Sequence, residues 1–385
     1  MQLPLNKFAS QLKVSGIRAI SNRIPEIDDV INLTVGQPDF HVPQRVKDAM
    51  KEAIDHNFTS YSHNAGLIQL REVVKTYYET RFSAHFNTNE ILITNGASEA
   101  LDTALRGIIE QGDEVLIPSP VYAGYVPLIE LLGATPVYID TTHTHLKITP
   151  ELIKKHITSK TKAILLNYPN NPTGIILNKD EVTAIVDVLK EYPIFIISDE
   201  IYAENTFQQS HTSFASYESI KDQCILLGGL SKSHSMTGLR IGFLLGPEYL
   251  MKQLTFVHAY NCICANVPSQ YAAIEALTHS IDSPKEMNKA YIKRRDYVYE
   301  RLINMGFIID EMPQGAFYIF PKISQFGIDD YEFCMKALED YHVAIVPGSA
   351  FTHLGKGYIR ISYAYDIESL EIGLNRLEKM IQELF

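Results

Sequence analysis

The chain is short of positive charge, of cysteine and of long apolar runs, and each shortage removes a class of function. Its 385 residues carry 34 Lys and Arg against 45 Asp and Glu, a net charge of −11. Nucleic-acid binding needs a basic face and a polybasic membrane anchor needs clustered Lys and Arg, so neither partner is expected. No stretch approaches the roughly 18 consecutive apolar residues of a spanning helix. Segment 1–21, broken by Pro4, Asn6, Lys7 and Lys13, lacks the apolar centre of a secretion signal. The four cysteines, Cys224, Cys262, Cys264 and Cys334, read as reduced thiols of a cytoplasmic protein. Cys262 and Cys264 form a CxC pair with no second pair or histidine cluster beside it, and His143 and His145 form a lone HxH. Neither has metal-site spacing, so no metal is expected. No G-x-G-x-x-G follows a strand, which disfavours a nicotinamide-dependent dehydrogenase.

What is present is a regular alternation. Apolar residues make up 46% of the chain, and its length predicts two domains. Short β-branched runs at 91–94, 114–117, 135–139, 163–166, 194–198, 224–227 and 240–245 read as strands. Helical periodicity at 99–109, 122–132, 150–157 and 179–190 lies between them. The pattern predicts an α/β fold with a mainly parallel sheet covered on both faces. Beyond a charged helix at 284–305, strand candidates at 307–309, 316–320, 343–346 and 358–362 and helices at 329–341 and 367–384 predict a smaller α+β domain. The first 40 or so residues lack the sheet pattern and are expected to pack with it, giving a large domain at 41–281 and a small one from 1–40 and 282–385.

Four strings sit where such a sheet would place its ligands, at strand ends. Gly229-Leu-Ser-Lys-Ser-His-Ser-Met-Thr-Gly-Leu-Arg-Ile-Gly242 puts Lys232 just past an apolar strand. Burial there lowers an amine's pKa and frees it to attack an aldehyde. Arg240, flanked by glycines, offers a guanidinium fork to a phosphate; an exposed lysine and a salt-bridged arginine are the plainer alternative. Asp199, in Ser198-Asp-Glu-Ile-Tyr202, is either a ring-nitrogen partner or a helix N-cap. Tyr168-Pro-Asn-Asn-Pro-Thr-Gly174 is a turn that presents the Asn171 amide. Thr94-Asn-Gly-Ala-Ser-Glu99 brings Ala97 and Ser98 to a helix start, a phosphate site or an ordinary cap. Tyr122 suits ring stacking or the core. Arg360, on an apolar strand, wants an anion, from substrate or from the protein.

Together these strings resemble the class I/II, aspartate aminotransferase-like enzymes of fold type I, which use pyridoxal 5′-phosphate (PLP). The likeness spans essentially the whole chain, and the Gly-x-Ser-Lys-x-x-Ser-x-x-Gly-x-Arg-x-Gly string is highly specific. It implies a seven-stranded sheet and ping-pong transfer of an amino group from an amino acid to a 2-oxo acid. Lys232 then resembles the lysine that holds PLP as a Schiff base and later shuttles a proton. Asp199 is similar to the partner of the pyridine nitrogen, Tyr202 and Asn171 to the pair on its phenolate oxygen, and Tyr122 to the stacking residue. Ala97, Ser98, Ser231 and Arg240 match phosphate contacts, and Arg360 the grip on the α-carboxylate. Gly36, in Val35-Gly-Gln-Pro-Asp39, matches the segment that closes over substrate. Tyr61 resembles a tyrosine that reaches the phosphate of the neighbouring subunit, which implies a homodimer with shared sites. Gly229 stands where many relatives have a phosphate-binding serine.

The flavour of the strings is similar to a bacterial subgroup of aspartate, aromatic and N-acetyl-diaminopimelate aminotransferases, the last the best single guess. Arg18 and Arg23 are candidates for a second carboxylate. A PLP-dependent C–S β-lyase shares the same lysine and ring partner. A PLP-binding regulatory module is the alternative of another class, disfavoured because the sheet pattern begins too early to leave room for a DNA-binding domain ahead of it.

Overall fold

In the computed structural model, which describes residues 3–12 and 16–385, twelve short strands are assigned among the described residues. They are β1 (Ile31–Asn32), β2 (Ile91–Thr94), β3 (Glu114–Ser119), β4 (Thr135–Asp140), β5 (Thr161–Asn167), β6 (Phe195–Asp199), β7 (Cys224–Gly229), β8 (Gly242–Leu245), β9 (Tyr318–Ile319), β10 (Val343–Ala344), β11 (Val346–Pro347) and β12 (Ile359–Ser362). Seven of them form one sheet in the order β2-β8-β7-β6-β5-β3-β4. Only β8 runs against its neighbours; the pairs β7–β6, β6–β5, β5–β3 and β3–β4 are parallel.

The inner strands are buried on both faces, which is why they read as continuous apolar runs, and the edge strand β4 is partly exposed. Alternate residues of β6 feed two cores. Ile196 joins Leu166, Ile185 and Leu189 on one side, and Ile197 joins Ala104, Leu105 and Leu254 on the other. The second core is completed by helices Ala97–Ile108 and Glu248–Cys262.

The C-terminal strands β9, β12 and β11 make a small antiparallel sheet, and β1 pairs in parallel with β10. Ile20 and Leu33 pack into the same core as Leu302, Phe333 and Leu374. The N-terminal segment is thereby tied to the C-terminal elements through both backbone and side chains.

Several element boundaries differ from the sequence expectation. Arg240 does not begin a strand. It has a left-handed φ of 50° and sits in the turn before β8. The helix expected from 122 starts at Tyr125, since Tyr122 lies in the preceding turn. Residues 343–346 divide into two strands that pair with different partners, and 307–309 contributes one bridge, Ile308 to Lys322. Helices Gln44–Asp55, Ile68–Phe82, Glu248–Cys262 and Val267–Thr278 had no counterpart in the strand–helix count. No helix among the described residues is long and apolar enough to cross a membrane.

Candidate active site

The parallel strands deliver the singled-out residues to one rim. β2 ends at Thr94 and leads to Ala97 and Ser98; β3 leads to Tyr122. β5 leads to Asn171, β6 ends on Asp199, and β7 leads to Ser231 and Lys232. β8 runs the other way, so Arg240, before its first residue, reaches the same rim. Carboxyl ends of parallel strands are the usual ligand crevice of such sheets.

A cavity of about 830 Å³ lies there. Among its lining residues are Gly36, Ala97, Ser98, Tyr122, Asn171, Asp199, Tyr202, Ser231, Lys232, Arg240 and Arg360. Tyr61 is not among them; it is 78% exposed on the outside of the chain.

Lys232 donates to the Gly36 carbonyl at 2.5 Å. Burial, with the Arg360 and Arg240 charges, lowers its pKa to about 8. At pH 7 roughly a tenth of such an amine is neutral, against roughly one part in 3,000 at the ordinary value. Asp199 is buried. One carboxylate oxygen accepts from the Tyr125 hydroxyl at 2.6 Å and the other from the Ile201 N–H at 3.1 Å. Burial pushes its pKa up, while those two donors pull it down.

The Tyr202 and Tyr318 hydroxyls lie 2.7 Å apart. Arg360 donates to Asn171 Oδ1 at 3.0 Å and to the Thr34 carbonyl at 2.5 Å, with its guanidinium 4.5 Å from the Tyr318 ring centroid. Its Nε has no hydrogen-bond partner. Burial lowers the pKa of Arg360, and a buried guanidinium with an idle N–H is a seat for an anion.

The phosphate end depends on two glycines. Gly96 caps helix Ala97–Ile108 at φ 85° with no side chain, and a Cβ there would run into the Arg240 guanidinium. A Cβ on Gly242 would meet the Gly96–Ala97 backbone. Only glycine lets β8 and the helix start approach this closely. Ser98 is therefore in the first turn and is not the cap. The helix start, with the positive end of its dipole, shares the cavity wall with Arg240, Ser231 and Thr237.

The residues fit PLP. A dipole end plus a guanidinium suits its phosphate, a buried carboxylate its pyridinium, a depressed amine its aldehyde, and the idle Arg360 Nε a substrate carboxylate. Sequence reasoning missed Tyr125, Tyr318, Thr34 and Asn167, which act on the sites just described. Asn167 holds the Asn171 N–H at 3.0 Å and donates to the Asp199 carbonyl at 3.2 Å. Its place at the end of β5 was the one available signal; the tyrosines carried none.

The comparisons agree with this geometry. Residues 28–377 match the family described as "Aminotransferase class I and II". A probable N-acetyl-LL-diaminopimelate aminotransferase of Bacillus subtilis is 48% identical, over 99% of this chain and 96% of that protein. An aspartate aminotransferase of Pyrococcus abyssi is 38% identical over 96% of each. The crystal structure of aspartate aminotransferase from Thermus thermophilus with maleate superposes with a TM-score of 0.93 at 30% identity, covering 98% of this chain and 100% of that one. The chain is accordingly a member of the class I and II aminotransferases, enzymes that use PLP to move an amino group between an amino acid and a 2-oxo acid.

Proposed function

We propose that Lys232 is the catalytic lysine and that the substrate carries a carboxylate at each end. PLP, when bound, supplies a ring that draws electrons from the substrate Cα. The chain's own residues do the rest. Arg360, aided by Asn171, binds the α-carboxylate and so orients the Cα–H bond. Lys232, neutral in a useful fraction at pH 7, takes the Cα proton and returns it. Asp199, steadied by Tyr125, holds the proton of the ring nitrogen. Tyr202 and Asn171 face the phenolate oxygen, and Tyr122 stacks on the ring. Ala97, Ser98, Ser231 and Arg240 bind the phosphate. Gly36 belongs to the segment that closes over the substrate.

The observation that carries this reading is the convergence of a depressed amine, a buried carboxylate and a buried arginine with an idle N–H on one cavity. Borohydride reduction and peptide mapping test it: the cofactor is expected on Lys232, and a label on another residue overturns the reading.

The second carboxylate rests on the printed names of the relatives, an N-acetyl-LL-diaminopimelate and an aspartate aminotransferase, both named for dicarboxylic amino acids. The described lining holds four cations, Arg18, Lys232, Arg240 and Arg360, against one carboxylate, Asp199. Arg18 lines the same cavity, whose wall also includes the apolar Leu12, Ile17 and Leu128. Arg23 is paired with Glu26 and Glu339 and is not among the described lining residues. N-acetyl-LL-diaminopimelate as amino donor, with 2-oxoglutarate as acceptor, agrees with the printed name of the 48%-identical relative. A panel of amino donors with 2-oxoglutarate, followed by cofactor absorbance, tests it. Release of pyruvate and ammonia without an acceptor would instead make the chain a β-lyase.

The working form in this proposal is a cytoplasmic homodimer in which Tyr61 serves the neighbouring subunit's phosphate. The division into 41–281 and 1–40 with 282–385 lets the small unit, which carries Gly36 and Arg360, move onto a site built by the large one.

A further inference from the structure

Beside the helix start that lines the cavity, three side chains from two helices meet. Glu99 Oε1 accepts from His258 Nδ1 at 2.8 Å and from the Cys262 thiol at 2.9 Å. The Cys262 Sγ to His258 Nδ1 distance is 3.5 Å. We propose that Glu99, His258 and Cys262 form a binding site for a borderline-soft divalent cation, Zn²⁺ or Co²⁺, distinct from the catalytic cavity.

The donor set is the type zinc takes, one imidazole, one thiolate and one carboxylate. Zn–ligand bonds of about 2.0–2.3 Å place tetrahedral ligands about 3.3–3.8 Å apart. The three edges here need to open by less than about 1 Å to meet that. His258 and Cys262 lie four residues apart on helix Glu248–Cys262, so they share a face. Glu99 comes from the first turn of helix Ala97–Ile108. The His258 side chain is fully buried and that of Glu99 is 10% exposed, so the cluster is preformed and mostly shielded from water.

The backbone beside the cluster is held in a tight turn. Ile263, between the two cysteines, has φ 67° and ψ −62°. A β-branched residue with positive φ is a genuine outlier, and such strain persists where the surroundings over-determine it. Here it is held by the Cys264 N–H on the Cys262 carbonyl at 2.8 Å and by Asn64 Nδ2 on the Ile263 carbonyl at 2.7 Å. Three protein ligands leave the fourth position to water.

Charge and protons balance. Cys262 enters as thiolate, Glu99 as carboxylate and His258 as neutral imidazole, so a divalent cation gives a neutral site and one proton goes to solvent. The metal would pin the start of the helix that forms the phosphate wall. Glu99 Oε2 accepts the Asn95 N–H at 2.5 Å, and the Asn95 carbonyl accepts from Arg240. Sequence spacing hid the site, because Glu99 lies far upstream and the histidine is inside a helix.

The test uses the holoenzyme stripped with a chelator, dialysed and titrated with Zn²⁺ or Co²⁺ alone. One Zn²⁺ per chain is expected, with Co²⁺ giving tetrahedral d–d bands clear of the cofactor's absorbance. Cys262→Ser should weaken Zn²⁺ by at least about 100-fold, since losing even an outer partner of a metal ligand costs up to that. Cys334→Ser, buried in another core, should not. Zn²⁺ should also raise the Tm of the unsubstituted protein and not that of Cys262→Ser. Absence of stoichiometric binding, or binding of equal strength in Cys262→Ser, overturns the proposal.

Discussion

Tyr125 holds Asp199: its hydroxyl donates 2.6 Å to the carboxylate at the end of β6, inside the protein. The bond offsets burial, which pushes the Asp199 pKa up. Tyr125→Phe should therefore raise that pKa further and weaken the hold on the ring-nitrogen proton. A hydrogen bond to a charged group contributes about 1.5–3 kcal/mol, so kcat should fall about 10- to 100-fold with KM little changed. Steady-state kinetics check this.

Asp199→Ala should cost far more rate than PLP affinity, because the phosphate end is untouched. It should also stabilise the cofactor-free protein at neutral pH. The folded pKa of Asp199 is raised, so its contribution is full below the unfolded value of 3.8 and is lost as pH rises through the folded value. Thermal melts of the two apoproteins at pH 4 and pH 7 compare them; a stability gain confined to pH 4 would contradict the account.

Lys232 predicts a pH profile. With its pKa lowered to about 8, the rate of PLP reattachment to apoprotein should climb about tenfold per pH unit below 8 and level above it, since only the neutral amine attacks. Its folded pKa is depressed, so the stability it contributes is present above 10.5 and is lost as pH falls through about 8. Arg360→Ala removes one of the charges that depress it and should move the plateau to higher pH. Stopped-flow absorbance reads both.

Arg360→Ala should also lower kcat/KM for every amino acid by about 30-fold or more, since truncating one partner of a buried charge pair costs about 2–5 kcal/mol. Arg360→Lys should rescue only part, because an ammonium cannot make the two-pronged contact. Full rescue would show that charge alone matters.

The exposed Tyr61 makes a sharper test of shared sites. Lys232→Ala and Tyr61→Ala chains, each inactive or weak alone, should regain activity when unfolded and refolded together. In a two-fold dimer with shared sites, about half of random dimers are hybrids with one intact site, so about a quarter of normal activity is expected. No gain on mixing would place both residues in one subunit's site.

The parallel strands and the residues at their ends were legible from sequence because both are local. A buried strand announces itself as a β-branched run, and Asp199 or Asn171 follows directly from where β6 or β5 stops. Lys232 and Arg240 shared one string, and Ala97 and Ser98 lay at a strand–helix junction. Partnerships across the chain were not legible. The Arg360 contact with Thr34 spans 326 residues and Tyr202 meets Tyr318 across 116. Tyr318, unlike Tyr202 in its Asp-Glu-Ile-Tyr string, sits in no pattern that distinguishes it from a core aromatic. Arg240 looked like strand because its neighbours are apolar, but the reversed β8 needs a left-handed turn to start at the cavity rim.

By itself the sequence determined the strand–helix alternation, the lysine string and the order of the polar residues that follow each strand, since these depend on neighbours in the chain. Only the tertiary structure decided which charges face each other. It brought Arg18, Arg240, Arg360 and Lys232 to one cavity with Asp199, left Arg23 outside the described lining, and set Glu99 against His258 and Cys262. Long-range packing sets burial, and burial sets both the amine's proton affinity and the strength of every charge around it.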